Sequence, residues 1–330
     1  MPEGLHRFLI TGAKGFIGAW TVKNLVERGD TPVVLDVDSR MNRLEALLSP
    51  GQLASVKSVQ GDVTSLEDVE RCVAEHGVSH IIHLAALQVP ACAANPILGA
   101  KVNVIGTLNV FEVARRRRDL VKRIVYASSA AVFGPEEFYG EGTVREGAQL
   151  LPGTHYGVFK QCNEGNARVY YLNDGIASVG LRAWAVYGVG RDQGITSGPT
   201  KAIKASVVGR PYTVKFSGQI DLQYVDDCAR ILLRCAEDDL PGARTYTLRG
   251  AVVKIKEFIT ALERAYPRSR GLIRAEGKQL PIAADLDDSA LVRDLGNVPR
   301  TPLDEGIRKT IEIFERLQRE GRLDTSDLDQ

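Results

Sequence analysis

The chain has little cysteine, and neither sign of charge prevails in it. Its 330 residues include 5 cysteines, 42 lysines and arginines, and 41 aspartates and glutamates, so the formal net charge is +1. An odd cysteine count without a Cys-x-x-Cys pair fits no disulfide framework and predicts reduced thiols in a cytoplasm. The balanced charge gives no indication of nucleic acid or an anionic membrane as a partner. His80 and His83 would lie on opposite faces of a strand, so no metal site is predicted.

Long apolar runs are also missing. The run that begins at Phe8 reaches Gly12 almost at once and is too short for a signal peptide. No apolar stretch approaches the ~18 residues that a membrane span needs. The hydrophobic content of 44% and the charged content of 25% are ordinary for a globular protein. We therefore predict a soluble, cytoplasmic protein with no membrane partner.

Short apolar runs alternate with helical patterns through the first half of the chain. The runs interpreted as strands are Phe8–Ile10, Pro32–Val37, Ser55–Val63, His80–Ala86, Arg123–Ser129 and Ile176–Arg182. Strands that alternate with helices predict parallel βαβ units, and hence an α/β fold with a doubly wound parallel sheet of the Rossmann type. The second half is less regular, and we expect the tail after Arg319 to fray.

A glycine-rich turn joins the first strand to the first helix. The sequence there reads TGAKGFIG, and its glycines are Gly12, Gly15 and Gly18. Glycines at this spacing let the backbone approach a pyrophosphate, while the helix N-terminus presents free N–H groups to it. Asp36 ends the second strand 18 residues past Gly18, where a carboxylate accepts hydrogen bonds from ribose hydroxyls and repels a 2′-phosphate. These features predict NAD as cofactor, with Asp38 as the alternative acid.

The predicted domains follow from this assignment. Residues 1–182 form the NAD-binding Rossmann domain, and residues 219–250 return to it. Residues 183–218 and 251–330 form a smaller substrate-binding lobe.

Further motifs follow the glycine turn in a fixed order along the chain. They are Gly61-Asp62-Val63, His83-Leu84-Ala85-Ala86, Asn103-Val104-Ile105-Gly106-Thr107, Tyr126-Ala127-Ser128-Ser129-Ala130, Tyr156-Gly157-Val158-Phe159-Lys160, Val186-Tyr187-Gly188 and Tyr224-Val225-Asp226-Asp227. With the GxxGxxG turn, this set resembles the extended short-chain dehydrogenase/reductases, specifically the NAD-dependent epimerase/dehydratase family and its UDP-glucose 4-epimerase-like members. The resemblance covers nearly the whole chain. It implies that NAD is bound by the three glycines and by Phe16, Ile17, Asp36, Asp62, Val63, Leu84, Ala85, Ala86, Asn103, Tyr156 and Lys160.

Tyr156, Lys160 and Ser129 are the expected catalytic residues. Tyr156 and Lys160 stand four residues apart on a predicted helix, so both project from one face. A neighbouring ammonium and the cationic nicotinamide ring should lower the tyrosine pKa from its ordinary ~10, so that Tyr156 takes the proton of a substrate hydroxyl while hydride leaves. Lys160 should also hold the nicotinamide ribose. Ser129 should bond the reacting oxygen, with Ser128 as the alternative.

Three departures from the family pattern bear on the substrate. Ala130 and Ala131 stand where dehydratases of the family carry an added acid, which disfavours dehydration. Ala185 and Ile220 stand where sugar-nucleotide epimerases commonly carry an Asn and an Arg toward the diphosphate. Two missing charge-assisted donors would cost ~1.5–3 kcal/mol each. We therefore predict a carbohydrate without a nucleotide, such as a sugar or sugar acid.

Gln88, Ser129 and Arg191 are the expected substrate contacts. Two alternatives stay open. The first is a UDP-sugar 4-epimerase in which other basic residues, such as Arg191, Lys201 or Arg210, bind the diphosphate. The second is an NAD-binding regulator without turnover. The family resemblance also implies a homodimer formed through residues 97–118 and 154–173.

Overall fold

The structure, a computed structural model, describes residues 6–329. Within them a seven-stranded, entirely parallel sheet has the order β10-β6-β5-β4-β1-β2-β3. The strands along the chain are β1 Phe8–Thr11, β2 Val33–Asp36, β3 Lys57–Gln60, β4 His80–His83, β5 Arg123–Ser129, β6 Ser178–Ala183, β7 Ala185–Tyr187, β8 Tyr212–Val214, β9 Gln219–Tyr224, β10 Ala243–Thr247, β11 Ala251–Lys254 and β12 Ile273–Ala275. The predicted Rossmann-type sheet is therefore confirmed.

The helices of the described residues either cover the two faces of this sheet or pack in a second lobe. They are α1 Phe16–Glu27, α2 Asn42–Leu47, α3 Pro50–Leu53, α4 Leu66–His76, α5 Val89–Ala94, α6 Pro96–Ala100, α7 Gly106–Arg116, α8 His155–Asp174, α9 Gly198–Val207, α10 Val225–Glu237, α11 Ile255–Ala265, α12 Ser289–Leu295 and α13 Leu303–Arg319. Helices α1 and α10 pack together on one face, whereas α4, α7 and α8 pack together on the other. The carboxyl ends of the strands are left open between these layers.

A second lobe is built on two small sheets. One has the order β11-β9-β7, and the other pairs β12 with β8. The segment 219–250, predicted to return to the Rossmann domain, divides between the two lobes: β10 joins the central sheet and α10 covers it, but β9 pairs with β7 and β11. Both ladder partners of β9 thus lie in segments that the prediction assigned to the second lobe.

The C-terminal tail is packed, and the prediction that it frays was wrong. Lys201 Nζ donates to the main-chain oxygen of Asp327 at 2.7 Å, and Lys204 Nζ pairs with the Asp327 carboxylate at 2.7 Å. Asp327 is only 6% exposed. Two lysines of α9 thus hold the tail against the second lobe.

Helices α6 and α7 form one helical run, because a π-helical turn at Lys101–Ile105 joins them. By length and composition alone, the run Pro96–Arg116 is apolar enough to cross a membrane, although 44% of its most apolar window is buried in the protein. It packs against α4 and α8 in the layer that covers the central sheet. The core helix of a soluble protein has the same composition, so this run carries no membrane assignment.

Candidate active site

Two glycines of the turn, Gly12 and Gly18, leave no room for a side chain. Gly12 has φ +67°, and a Cβ there would lie 2.6 Å from the main-chain nitrogen of Ala85; a Cβ on Gly18 would lie 2.5 Å from the Gly12 oxygen. Gly15 precedes α1, whose first turn contains no acidic residue and no side-chain cap. The N–H groups of Phe16 and Ile17 therefore remain available for a pyrophosphate.

Asp36 is oriented by the same turn. Its carboxylate accepts hydrogen bonds from the main-chain nitrogens of Lys14 at 3.0 Å and Asp38 at 3.1 Å. The carboxylate of Asp38 instead binds the Arg40 guanidinium, which lowers the Asp38 pKa to about 2. Asp36 therefore retains free lone pairs for ribose hydroxyls, and of the two acids it fits the predicted role better.

A cleft of about 1040 Å³ runs from the glycine turn along the ends of the strands. Asp36, Asp62, Val63 and the segment Leu84–Ala86 line it. The Asp62 carboxylate accepts a hydrogen bond from the main-chain nitrogen of Thr64 at 2.8 Å, which fixes its direction. The glycine turn, a carboxylate suited to ribose hydroxyls and the carboxylate of Asp62 thus share one groove of dinucleotide size. The residues present fit NAD.

Asn103 was predicted as a cofactor contact, and its side chain lies buried beside this cleft rather than in its lining. Its side-chain amide accepts from the main-chain nitrogen of Leu87 at 2.7 Å and donates to the Leu87 oxygen at 2.9 Å. It also donates to Cys92 Sγ at 3.3 Å and is 1% exposed. Strand β4 ends at His83 rather than at Ala86 as predicted, and Asn103 binds the backbone of the segment that follows it. Asn103 acts by positioning the cleft wall.

Ser129, Tyr156 and Lys160 line one cavity of about 230 Å³ between the two lobes. Ser129 ends β5, and the other two project from the first two turns of α8. Lys160 is 4% exposed; its Nζ donates to the main-chain oxygen of Ala127 at 2.6 Å and lies 5.5 Å from the centre of the Tyr156 ring. The fold therefore brings together the three side chains that the sequence predicted as a group.

The electrostatics of this cavity differ from the expectation. Burial raises the pKa of Tyr156 in the protein alone, and the Ser129 hydroxyl and the Arg191 charge only partly oppose that effect. Burial also lowers the pKa of Lys160 to about 8. The protein alone therefore does not lower the pKa of Tyr156 as predicted. The cost of desolvating the phenolate is larger than the stabilisation that Ser129 and Arg191 give it.

Ser128 has a structural role. It is 3% exposed, and its hydroxyl donates to Glu164, which forms a buried ion pair with Arg182 at 2.8 Å. Its hydroxyl is thereby engaged with Glu164. Ser129 is the serine that fits the catalytic position.

The substrate side of the cavity contains Gln88 and Arg191. Arg191 donates from one terminal nitrogen to Thr196 Oγ1 at 2.8 Å, but its buried Nε has no hydrogen-bond partner within residues 6–329. Gln88 approaches the same loop so closely that a Cβ on Gly194 would collide with its Oε1. Thr196, at the end of the segment Val189–Thr196 that was expected to line the substrate pocket, lines the cavity too. Trp184 also lines it and was not predicted; no motif distinguishes this residue, since long-range packing brings it there.

Ala185 and Ile220 are 1% and 0% exposed. Both face the core of the second lobe from β7 and β9. Both side chains are apolar, so neither position offers a hydrogen-bond donor to a diphosphate.

Comparisons with known proteins agree with this geometry. Residues 8–248 match the NAD-dependent epimerase/dehydratase family. The chain is 28% identical to the UDP-glucose 4-epimerase of Mycolicibacterium smegmatis over 93% of this chain and 98% of that protein. A partial-consensus L-threonine 3-dehydrogenase has a TM-score of 0.82 at 24% identity, with 94% and 99% of the two chains covered. The UDP-glucose 4-epimerase of Thermus thermophilus, solved with NAD, has a TM-score of 0.78 at 25% identity, with 93% and 98% covered.

The family match spans the glycine turn, the cleft and the tyrosine–lysine helix, and its members are NAD-dependent enzymes. The chain belongs to the NAD-dependent epimerase/dehydratase family and is an NAD-dependent enzyme of the extended short-chain dehydrogenase/reductase type.

Proposed function

We propose that the enzyme oxidises, or oxidises and re-reduces, a hydroxyl of a small carbohydrate acid that carries no nucleotide. One observation carries this proposal: Arg191 has an unpartnered, buried Nε in the cavity that contains Ser129 and Tyr156, within the described residues 6–329. Burial lowers the pKa of Arg191, as expected for a cation whose charge is poorly compensated. A substrate carboxylate would supply the missing partner through charge-assisted hydrogen bonds.

Each of the three catalytic side chains has a separate role in proton transfer. The Ser129 hydroxyl binds the substrate oxygen and holds it beside Tyr156, which takes the hydroxyl proton and returns it in the reverse direction. Lys160 contributes a positive charge beside the Tyr156 ring and a donor for the ribose of the cofactor. Bound NAD supplies the hydride acceptor. Dehydration is not proposed, because Ala130 and Ala131 offer no second acid.

A sugar-nucleotide epimerase is the second candidate, and a neighbouring cavity favours it. This cavity has about 720 Å³ and is lined by Gln88, Lys201, Tyr212, Lys215 and Phe216, among others. An aromatic ring in this cavity could stack on a nucleotide base, and a neighbouring lysine could pair with a phosphate. The Lys201 ammonium, however, already donates to the C-terminal tail. With Ala185 and Ile220 buried as well, this cavity has few free donors for a diphosphate.

Calorimetric titration of UDP, dTDP and GDP into the NAD-loaded enzyme distinguishes the two candidates. We expect no binding at micromolar concentration, because two diphosphate donors are missing. NADH formation, or interconversion of epimers where the hydride is returned, should instead appear with sugar acids and be at least about tenfold weaker with the matching neutral sugars. Micromolar binding of any of the three nucleotides would contradict the proposal and favour the epimerase.

We also propose that the enzyme is a homodimer formed through the helical run of α6 and α7 and through α8. Exposed apolar side chains lie on both helices, including Ile97 at 84%, Leu172 at 65% and Val158 at 47%. Burying such a surface against a second copy would remove it from water. We expect twice the chain mass in light scattering, and a shift toward the monomer in the Leu172→Glu variant. A wild-type monomer would overturn the proposal.

A further inference from the structure

A side chain outside every sequence motif bridges the two walls of the cofactor cleft. Arg43 on α2 donates from Nε to the Gly190 oxygen at 3.0 Å and from one terminal nitrogen to the Lys14 oxygen at 3.2 Å. Its other terminal nitrogen contacts both carboxylate oxygens of Asp192, at 2.7 and 2.8 Å. One guanidinium thus ties the glycine turn to the loop that follows β7.

The bridge lies over the cofactor cleft and beside the catalytic cavity. Lys14, Arg43, Gly190 and Asp192 all line the cleft. Gly190 has φ +99°, and a Cβ there would lie 3.4 Å from the Arg43 stem, so the loop approaches the arginine closely. The same loop carries Arg191, which faces the catalytic cavity.

Helix α2 is itself held by the C-terminal region. Arg316 donates to the Ala46 oxygen at 2.7 Å, and Arg322 donates to the Glu45 oxygen at 2.6 Å. Arg43 therefore projects from a helix whose position these two hydrogen bonds fix. By contrast, the Arg43 and Asp192 side chains are 30% and 31% exposed, so the ion pair is accessible to water and can break without unfolding the protein.

We propose that Arg43 and Asp192 form a latch that holds the loop Gly188–Thr196 over the bound dinucleotide and slows its release. A dinucleotide that extends from Asp36 to Lys160 must pass between the glycine turn and this loop, and the latch joins those two segments. Breaking it should speed dissociation much more than association. The inference rests on the family's NAD binding and is independent of the substrate proposed above.

The rate of NADH release, measured by stopped-flow displacement with excess NAD, tests the latch without any substrate. Arg43→Met keeps the apolar stem but removes the donors, and Asp192→Asn removes the charge at constant size. We expect each variant to release NADH about five- to twentyfold faster, as the loss of a charge-assisted pair implies. Arg116→Met is the matched control, because Arg116 forms a 3.0 Å ion pair with Glu70 between α7 and α4, away from the cleft. It should release NADH at the wild-type rate.

The double variant completes a double-mutant cycle, which distinguishes one shared latch from two independent folding defects. If the two residues act as one latch, Arg43→Met with Asp192→Asn should be no faster than Arg43→Met alone. All variants should keep the wild-type melting temperature within a few degrees. Wild-type release in both single variants, or independent multiplication of their effects, would overturn the proposal.

Discussion

Replacing Lys160 with methionine is expected to make the enzyme more stable while turnover falls by about a hundredfold or more. Lys160 is 4% exposed, and no carboxylate lies within salt-bridge distance of its ammonium in the part of the chain described. Its Nζ donates to a single main-chain oxygen, that of Ala127. Burial lowers its pKa from 10.5 to about 8, which corresponds to a cost of about 3 kcal/mol for keeping the charge in the folded protein. Losing the bond to Ala127 offsets about 1 kcal/mol of that gain.

The gain in stability should depend on pH in a defined direction. Below about pH 8 the lysine is protonated in both the folded and the unfolded state, so the full cost is present. As the pH rises from about 8 toward 10.5, the folded protein gives up the proton first and the cost disappears. The difference between Lys160→Met and the wild type should therefore be largest near pH ~7 and much smaller near pH ~10.

Urea unfolding of the cofactor-free protein at about pH 7 and about pH 10 measures this difference. Lys204→Met is the matched control, because Lys204 is 7% exposed but pairs with the Asp327 carboxylate. Removing Lys204 leaves a buried carboxylate without its cation and should destabilise the fold. A Lys160→Met variant less stable than the wild type at neutral pH would show that the lysine is compensated in the folded state.

Features fixed by neighbours in the sequence could be predicted from the sequence. The glycine turn, Asp36 and the pairing of Tyr156 with Lys160 each depend on a spacing of a few residues within one strand–turn–helix unit or one helix turn. The order of such units also predicted the central sheet.

Features that depend on distant partners could not be predicted in this way. The Arg43 bridge spans 149 residues to Asp192, and the C-terminal tail is held by lysines more than 100 residues earlier. The hydrogen bonds of Asn103 to Leu87 were not predicted either, because nothing in the sequence shows which backbone its amide meets. The strand β9 pairs with β7 and β11, and nothing within its own sequence indicates those partners.

Tyr156→Phe removes only the phenolic oxygen and therefore tests the assignment of the catalytic centre. The phenylalanine keeps the ring beside Lys160, so the cavity and the cofactor cleft should keep their shape. The proton acceptor for the substrate hydroxyl is lost, and turnover should fall by about 10²- to 10⁴-fold. Tyr170→Phe is the matched control: this tyrosine lies on the same helix, and its hydroxyl donates to Glu112 at 2.7 Å, outside the cavity. Its removal should leave turnover unchanged.

The most direct measurement is NADH formation by Tyr156→Phe, followed at saturating NAD with the first hydroxylated acid that the wild type oxidises. NADH affinity is measured alongside by fluorescence. We expect turnover to fall by about 10²-fold or more while NADH affinity stays within about threefold of the wild type. Wild-type turnover in this variant would contradict the assignment of Tyr156, Lys160 and Ser129 as the catalytic centre.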